Sequence, residues 1–172
     1  MTLSDGQYVV VGSTAFHHAL LTPYVTGHAA MSVETSVTDY PRDDISFGAG
    51  CQSTAGLDPA LVFQVMVYPD GQWYLEEARI PGSVTILRSG NTARLGTSAS
   101  VQLTCVIADP GAPAPTVQLV GFVNGVQVGA VGRSVGQVHV GDIMPILVLG
   151  TLGPTVSATF THMTVRGLDP SS

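Results

Sequence analysis

Apolar residues recur along this chain mostly with a period of two. In "AMSVETSV", residues 30 to 37, Met31, Val33, Thr35 and Val37 share one parity, and Ala30, Ser32, Glu34 and Ser36 the other. In "SVQLTCVI" Val101, Leu103, Cys105 and Ile107 alternate with Gln102, Thr104 and Val106. In "ATFTHMTV" Phe160, His162 and Thr164 alternate with Thr159, Thr161, Met163 and Val165. Side chains of a strand point alternately to opposite faces, so this pattern predicts half-buried strands of antiparallel sheets. Runs of β-forming residues broken by Gly, Pro, Asp and Asn predict strands over 7–12, 28–38, 44–53, 60–68, 72–80, 83–88, 99–108, 116–123, 126–131, 144–151 and 155–166. Helical spacing is weak and confined to "STAFHHALLTPY", 13–24, where Pro23 stops it.

The breaks between these runs carry turn chemistry. In "YPDGQW", 68 to 73, proline pre-sets φ and glycine accepts a positive φ. Asn124-Gly125 joins two apolar runs in "LVGFVNGVQVGAV", the signature of a type I′ hairpin. Its valines are expected in the core, and Asn124 as a ligand contact is the lesser reading. "LGPT", 152–155, reads as another hairpin turn, and the proline-rich "ADPGAPAPT", 108–116, as a surface loop. With no repeat and no composition break, residues 1–172 are expected to form one domain. About eleven strands with turns at short spacing predict two packed sheets.

Composition narrows the partners. Charged residues are 10% of the chain, lysine is absent, and six arginines face twelve acids for a net charge of −6. Clustered cations are needed to hold a phosphate backbone, so no nucleic acid is expected. No apolar run approaches the length of a membrane span, so no membrane insertion is expected. The opening "MTLSDGQYVVVG" has neither a basic n-region nor an apolar h-region, so no export signal is expected within this segment.

The order of elements resembles a known architecture. "GQWYLEEARIPGSVTILRSGN", "VQLTCVI", "QLVGFVNGVQVGAV" and "ATFTHMTV" follow one another as in the concanavalin A-like lectin/glucanase (laminin G-like) jelly roll. The resemblance is nearest to the variant in exported bacterial proteins and in 3-keto-disaccharide hydrolase-like domains. It rests on Tyr68, Asp70, Gly71, Trp73 and Leu75, then Phe122, Val123, Asn124, Gly125 and Val128, then Phe160 and Val165, and it spans about residues 28–167. It implies an all-β, two-sheet antiparallel jelly-roll sandwich whose last strand pairs with the N-terminal part. It implies no particular ligand, because this fold is widely reused.

Cys51 and Cys105 both stand at core parity in strand-like runs, and similar exported domains often carry a cysteine at both places. A Cys51–Cys105 disulfide is expected, which points to an extracellular or cell-surface location; two buried thiols are the alternative. His17, His18, His28, His139 and His162 form no chelating spacing, so no metal site is expected. Asp39, Asp43 and Asp44 in "YPRDDIS" offer oxygens to calcium but lack EF-hand spacing, and a solvated turn is the plainer reading. The three glutamates are Glu34, Glu76 and Glu77, and adjacent Glu76 and Glu77 point to opposite faces. Glycosidases need two carboxyls across one cleft, so no catalytic residues are expected. Nucleophile elbows and phosphate loops are absent, and no cofactor is expected.

In "QWYLEEARI" parity places Trp73, Leu75, Glu77 and Arg79 on one face and Gln72, Tyr74, Glu76 and Ala78 on the other. Trp73 with Leu75 makes the first set the core face. Gln72, Tyr74 and Glu76 are then the expected ligand-binding residues, an aromatic ring beside polar acceptors. The leading expectation is a non-enzymatic recognition or adhesion module with a glycan ligand. A structural or sensor ectodomain with a protein partner is second, and a sugar-active hydrolase, which the resemblance alone implies, third.

Overall fold

The computed structural model describes residues 2–4, 7–12, 16–20, 30–38, 45–53, 60–80, 82–108, 112–135, 143–151 and 156–167. Among them the strands are Thr2–Ser4 (β1), Gln7–Gly12 (β2), Phe16–Leu20 (β3), Ala30–Thr38 (β4), Ile45–Ser53 (β5), Ala60–Val67 (β6) and Gln72–Ile80 (β7). Val84–Asn91 (β8), Ser98–Ala108 (β9), Thr116–Val123 (β10), Val126–Ser134 (β11), Ile143–Thr151 (β12) and Val156–Gly167 (β13) complete the set. All eleven expected strands are present. Two further ones were missed: the short β1, and β3, which occupies the segment with weak helical spacing. His17 and His18 therefore lie on a strand. The "LGPT" turn, Asp39, Asp43, Asp44, His28 and His139 lie outside the described residues.

Every pairing is antiparallel, in a seven-stranded sheet ordered β1-β2-β13-β4-β9-β10-β11 and a six-stranded sheet ordered β3-β12-β5-β6-β7-β8. The chain crosses between the sheets at β2–β3, β3–β4, β4–β5, β8–β9, β11–β12 and β12–β13, which is jelly-roll connectivity. β13 pairs with both β2 and β4, joining the end of the chain to its beginning.

The inner faces follow the alternation in the sequence. Val101, Leu103, Cys105 and Ile107 of β9 are buried, and so are Met31, Val33, Thr35 and Val37 of β4. They pack with Phe47, Ala49 and Cys51 of β5, Phe63 and Val65 of β6, and Trp73 and Leu75 of β7. Cys51 and Cys105 are disulfide-bonded with their Cα atoms 6.7 Å apart, so the bridge ties the two sheets through the core. Trp73 is a core residue. A Cβ added at Gly90 would lie 2.5 Å from its Cζ2, and one at Gly129 would lie 2.9 Å from its Cη2. The indole therefore fits between the sheets because β8 and β11 carry glycine there.

The Asn124-Gly125 turn has φ of 50° and 75°, as a type I′ hairpin requires. Asn124 also extends the ladder: its amide donates to the Ser100 carbonyl at 2.9 Å, and its Oδ1 accepts from the Ser100 amide at 2.9 Å. Its place in the molecule is thus accounted for by the turn. The expectation that the hairpin's valines are core holds for Val123, but Val126 is 66% exposed. β11 is an edge strand, and its first two residues, Val126 and Gln127, are exposed. In the Pro-Asp-Gly turn, Gly71 has φ 98° and its amide donates to the Tyr68 carbonyl at 2.9 Å.

β8 and β11 are the free edges on the same side of the sandwich. Two arginines cross between the sheets here, Arg88 from β8 to β11 and Arg133 from β11 to β7. Arg88 donates from Nη1 to the Ala130 carbonyl at 2.9 Å, and Arg133 donates from Nε to Glu77 Oε2 at 2.7 Å. Charged side chains of this kind blunt an edge that could otherwise pair with another strand.

Candidate carbohydrate-binding face

The outer face of the six-stranded sheet is built from alternate residues of β5 to β8. Ladder partners share a face, so Gly50, Gln64, Glu76 and Ile86 form one row across it. Gly48, Met66, Tyr74 and Ser89 form the next row, and Gln72 beside Asn91 the one after. Val62, Met66 and Ala78 make a small apolar cluster on this face, with Tyr74 packed against it.

Gln72, Tyr74 and Glu76 do share this face, but their exposure differs. Gln72 is exposed, Tyr74 half-buried, and Glu76 only 7% exposed. The sequence places Glu76 facing outward; the structure keeps it on the outer face but sinks its carboxylate into the sheet. Gln64, fully buried on β6, donates from Nε2 to Glu76 Oε2 at 2.7 Å. Burial pushes the Glu76 carboxyl above its ordinary range, and this hydrogen bond pulls it partly back. Tyr68, just beyond β6, meets Tyr74 edge-on with ring centroids 5.8 Å apart. The Tyr68 phenol is also pushed up, first by burial, against a hydrogen bond with Ser46, and then by the negative charges of Glu76 and Asp70.

Next to Tyr74 lies a cavity of about 150 Å³ lined by Gln72, Tyr74, Ser89, Gly90 and Asn91. Tyr74 donates its hydroxyl to Gln72 Oε1 at 2.8 Å, which fixes the ring and turns the amide nitrogen of Gln72 away from it. The lining thus offers an aromatic ring, two amides and two hydroxyls. Gln72 and Tyr74 are the residues strand parity singles out, whereas Ser89 and Asn91 lie past the expected end of their strand. "SGN" reads as turn composition, which ended the expected strand at residue 88, whereas β8 pairs with β7 through Asn91. Gln64 was missed too, although an amide inside the apolar run "ALVFQVMV" is the signal that would have singled it out.

Glu77 is separated from all of this. Its carboxylate lies on the inner face, 4% exposed, bonded to Arg133 at 2.7 Å and Arg79 at 3.4 Å. The two adjacent glutamates therefore sit on opposite faces of β7, as strand parity dictates. Among the described residues no cluster of three or more His, Cys, Asp or Glu is arranged to hold a metal ion. No helix there is long and apolar enough to cross a membrane.

No family model matches the chain, and no curated protein matches it in sequence. Solved structures do match in shape. The carbohydrate recognition domain of Emp46p, in its potassium-bound form, superposes with a TM-score of 0.61 at 11% identity, covering 98% of this chain and 86% of that one. A glycoside hydrolase family 16 endo-glucanase from Bacteroides ovatus gives 0.59 at 7% identity, covering 92% and 80%. Sheep galectin-11 in complex with glycerol gives 0.52 at 11% identity, covering 90% and 98%. With its two antiparallel sheets, its crossing connections and these structural neighbours, the chain has the concanavalin-like jelly-roll fold.

Proposed function

We propose that the outer face of the six-stranded sheet is a non-enzymatic carbohydrate-recognition surface centred on Tyr74. The observation that carries this reading is the cavity beside β7 and β8, where one aromatic ring is flanked by Gln72, Ser89 and Asn91. A ring offers an apolar plane to the C–H face of a sugar, and amides and hydroxyls bond its hydroxyl groups. At about 150 Å³ the cavity suits a single ring, with binding near 1 mM, about 4 kcal/mol. The names of the structural neighbours, a carbohydrate recognition domain and a galectin among them, are in keeping with such a surface on this fold.

The non-enzymatic part of the proposal rests on the carboxylates. Two-carboxylate glycoside hydrolysis needs a pair across one cleft. The face carries Glu76, whereas Glu77 is engaged by arginines on the opposite face. The inter-sheet disulfide favours an oxidising, extracellular setting. Glycan-array screening of the pure protein, followed by chemical-shift mapping of a hit, tests the proposal. Shifts confined to β7 and β8, lost in Tyr74→Ala, are expected, with no release of reducing ends from the bound glycan. Shifts elsewhere, or turnover, would overturn it.

A further inference from the structure

None of the described arginines lines the cavity. Arg79 and Arg133 hold Glu77, Arg88 holds the Ala130 carbonyl, and Arg166 lies on β13 of the other sheet. Arg94 follows β8, does not line the cavity, and has an interaction of its own. The chain has no lysine, and Arg42 lies outside the described residues. The cavity lining is neutral throughout: Gln72, Tyr74, Ser89, Gly90 and Asn91. Glu76 lies two residues from Tyr74 on the same face, about 7 Å along the strand and inside the screening length of physiological salt.

We infer that the glycan taken at this face is uncharged, and that Glu76 acts against acidic sugars. This rests on the carbohydrate reading above and assigns its ligand class. Sugar hydroxyls both donate and accept, as do the Ser89 hydroxyl and the Asn91 amide, so a neutral lining can satisfy them completely. A uronate or sulfate only accepts and carries a full charge. Stripping its water without a cation in the lining is unfavourable, which is why arginine recurs where carboxylates are bound. The field of Glu76 adds repulsion. It already reaches across the face to Tyr68, whose phenol it helps hold protonated.

The test is a titration of the protein at low salt with neutral hexasaccharides from an array hit series and with hexamannuronate and hexagalacturonate. Neutral hexamers are expected to bind at least about tenfold more tightly, about 1.4 kcal/mol, and Glu76→Gln should narrow that ratio by raising affinity for the uronates. Equal or tighter uronate binding in the wild-type protein would overturn the inference while leaving the carbohydrate reading standing. So would an unchanged ratio in a Glu76→Gln protein that is folded by circular dichroism. Absence of binding by both classes would overturn the carbohydrate reading itself.

Discussion

Reducing the Cys51–Cys105 bridge should lower the melting temperature by about 8–16 °C. The bridge joins β5 of one sheet to β9 of the other across a sequence separation of 54. In the chain-entropy picture, opening a loop of that length returns about 14 cal/mol/K to the unfolded chain, about 4 kcal/mol at 25 °C. A domain of this size loses roughly 2–4 °C per kcal/mol, which gives the range stated. Both cysteines are buried, at 2% and 1% exposure, so reduction in the folded state will be slow. The protein should therefore be unfolded with a phosphine reductant, refolded with it still present, and compared with the oxidised form by circular dichroism melting. Reduction leaves both sulfur atoms in the core, so packing changes little and the difference isolates the cross-link. A difference below about 3 °C would refute the reasoning, because the unfolded chain would then already be restrained without the bridge. Two alkylatable thiols in the denatured, non-reduced protein would remove its premise.

Glu76→Gln should stabilise the protein near neutral pH, and the gain should shrink toward pH 4. Burial chiefly raises the carboxyl above its ordinary range, so ionisation increasingly opposes folding as pH rises from the unfolded-state value to the folded-state value. Below the unfolded value both states carry a neutral acid and the two proteins converge; urea unfolding at pH 4 and pH 7.5 reads this, and a pH-independent difference would contradict it. Gly129→Val places branched carbon where Trp73 Cη2 would be 2.9 Å from Cβ. Overpacking there should lower stability by about 1–3 kcal/mol and shift the tryptophan fluorescence, measured by thermal and emission scans, whereas unchanged stability would mean the indole has another place to go.

Strand parity made most of the fold legible. Val101, Leu103, Cys105 and Ile107 declared their face, and parity turned Cys51 and Cys105 inward, while their pairing across the two sheets was suggested by the resemblance to exported domains. It also assigned Trp73 and Leu75 inward and Gln72, Tyr74 and Glu76 outward. Parity says nothing about depth, however. Glu76 is buried on an outer face because Gln64 lies beside it on β6, twelve residues earlier in the chain. β3 was unreadable for a different reason. "FHHAL" is too short to distinguish a period of two from one of 3.6, and its strand form is set by pairing with β12, more than a hundred residues away.

The chemistry of the candidate site depends on register, which single-strand patterns do not contain. Ala78 pairs with Val84, Glu77 with Thr85 and Glu76 with Ile86. Continued without interruption, that register would set Tyr74 opposite Arg88 and Gln72 opposite Gly90, giving the outer face a cation beside its aromatic ring. A β-bulge between Leu75 and Glu76 takes up one extra residue of β8. Beyond it Leu75 pairs with Arg88, Tyr74 with Ser89 and Gln72 with Asn91. The slip moves Arg88 to the inner side, where it reaches the Ala130 carbonyl and guards the free edge of β11. It also brings Gly90 over the Trp73 indole, where a Cβ could not fit. One residue of slip therefore packs the tryptophan, guards the edge, and leaves a neutral hydroxyl and amide at the cavity in place of a guanidinium.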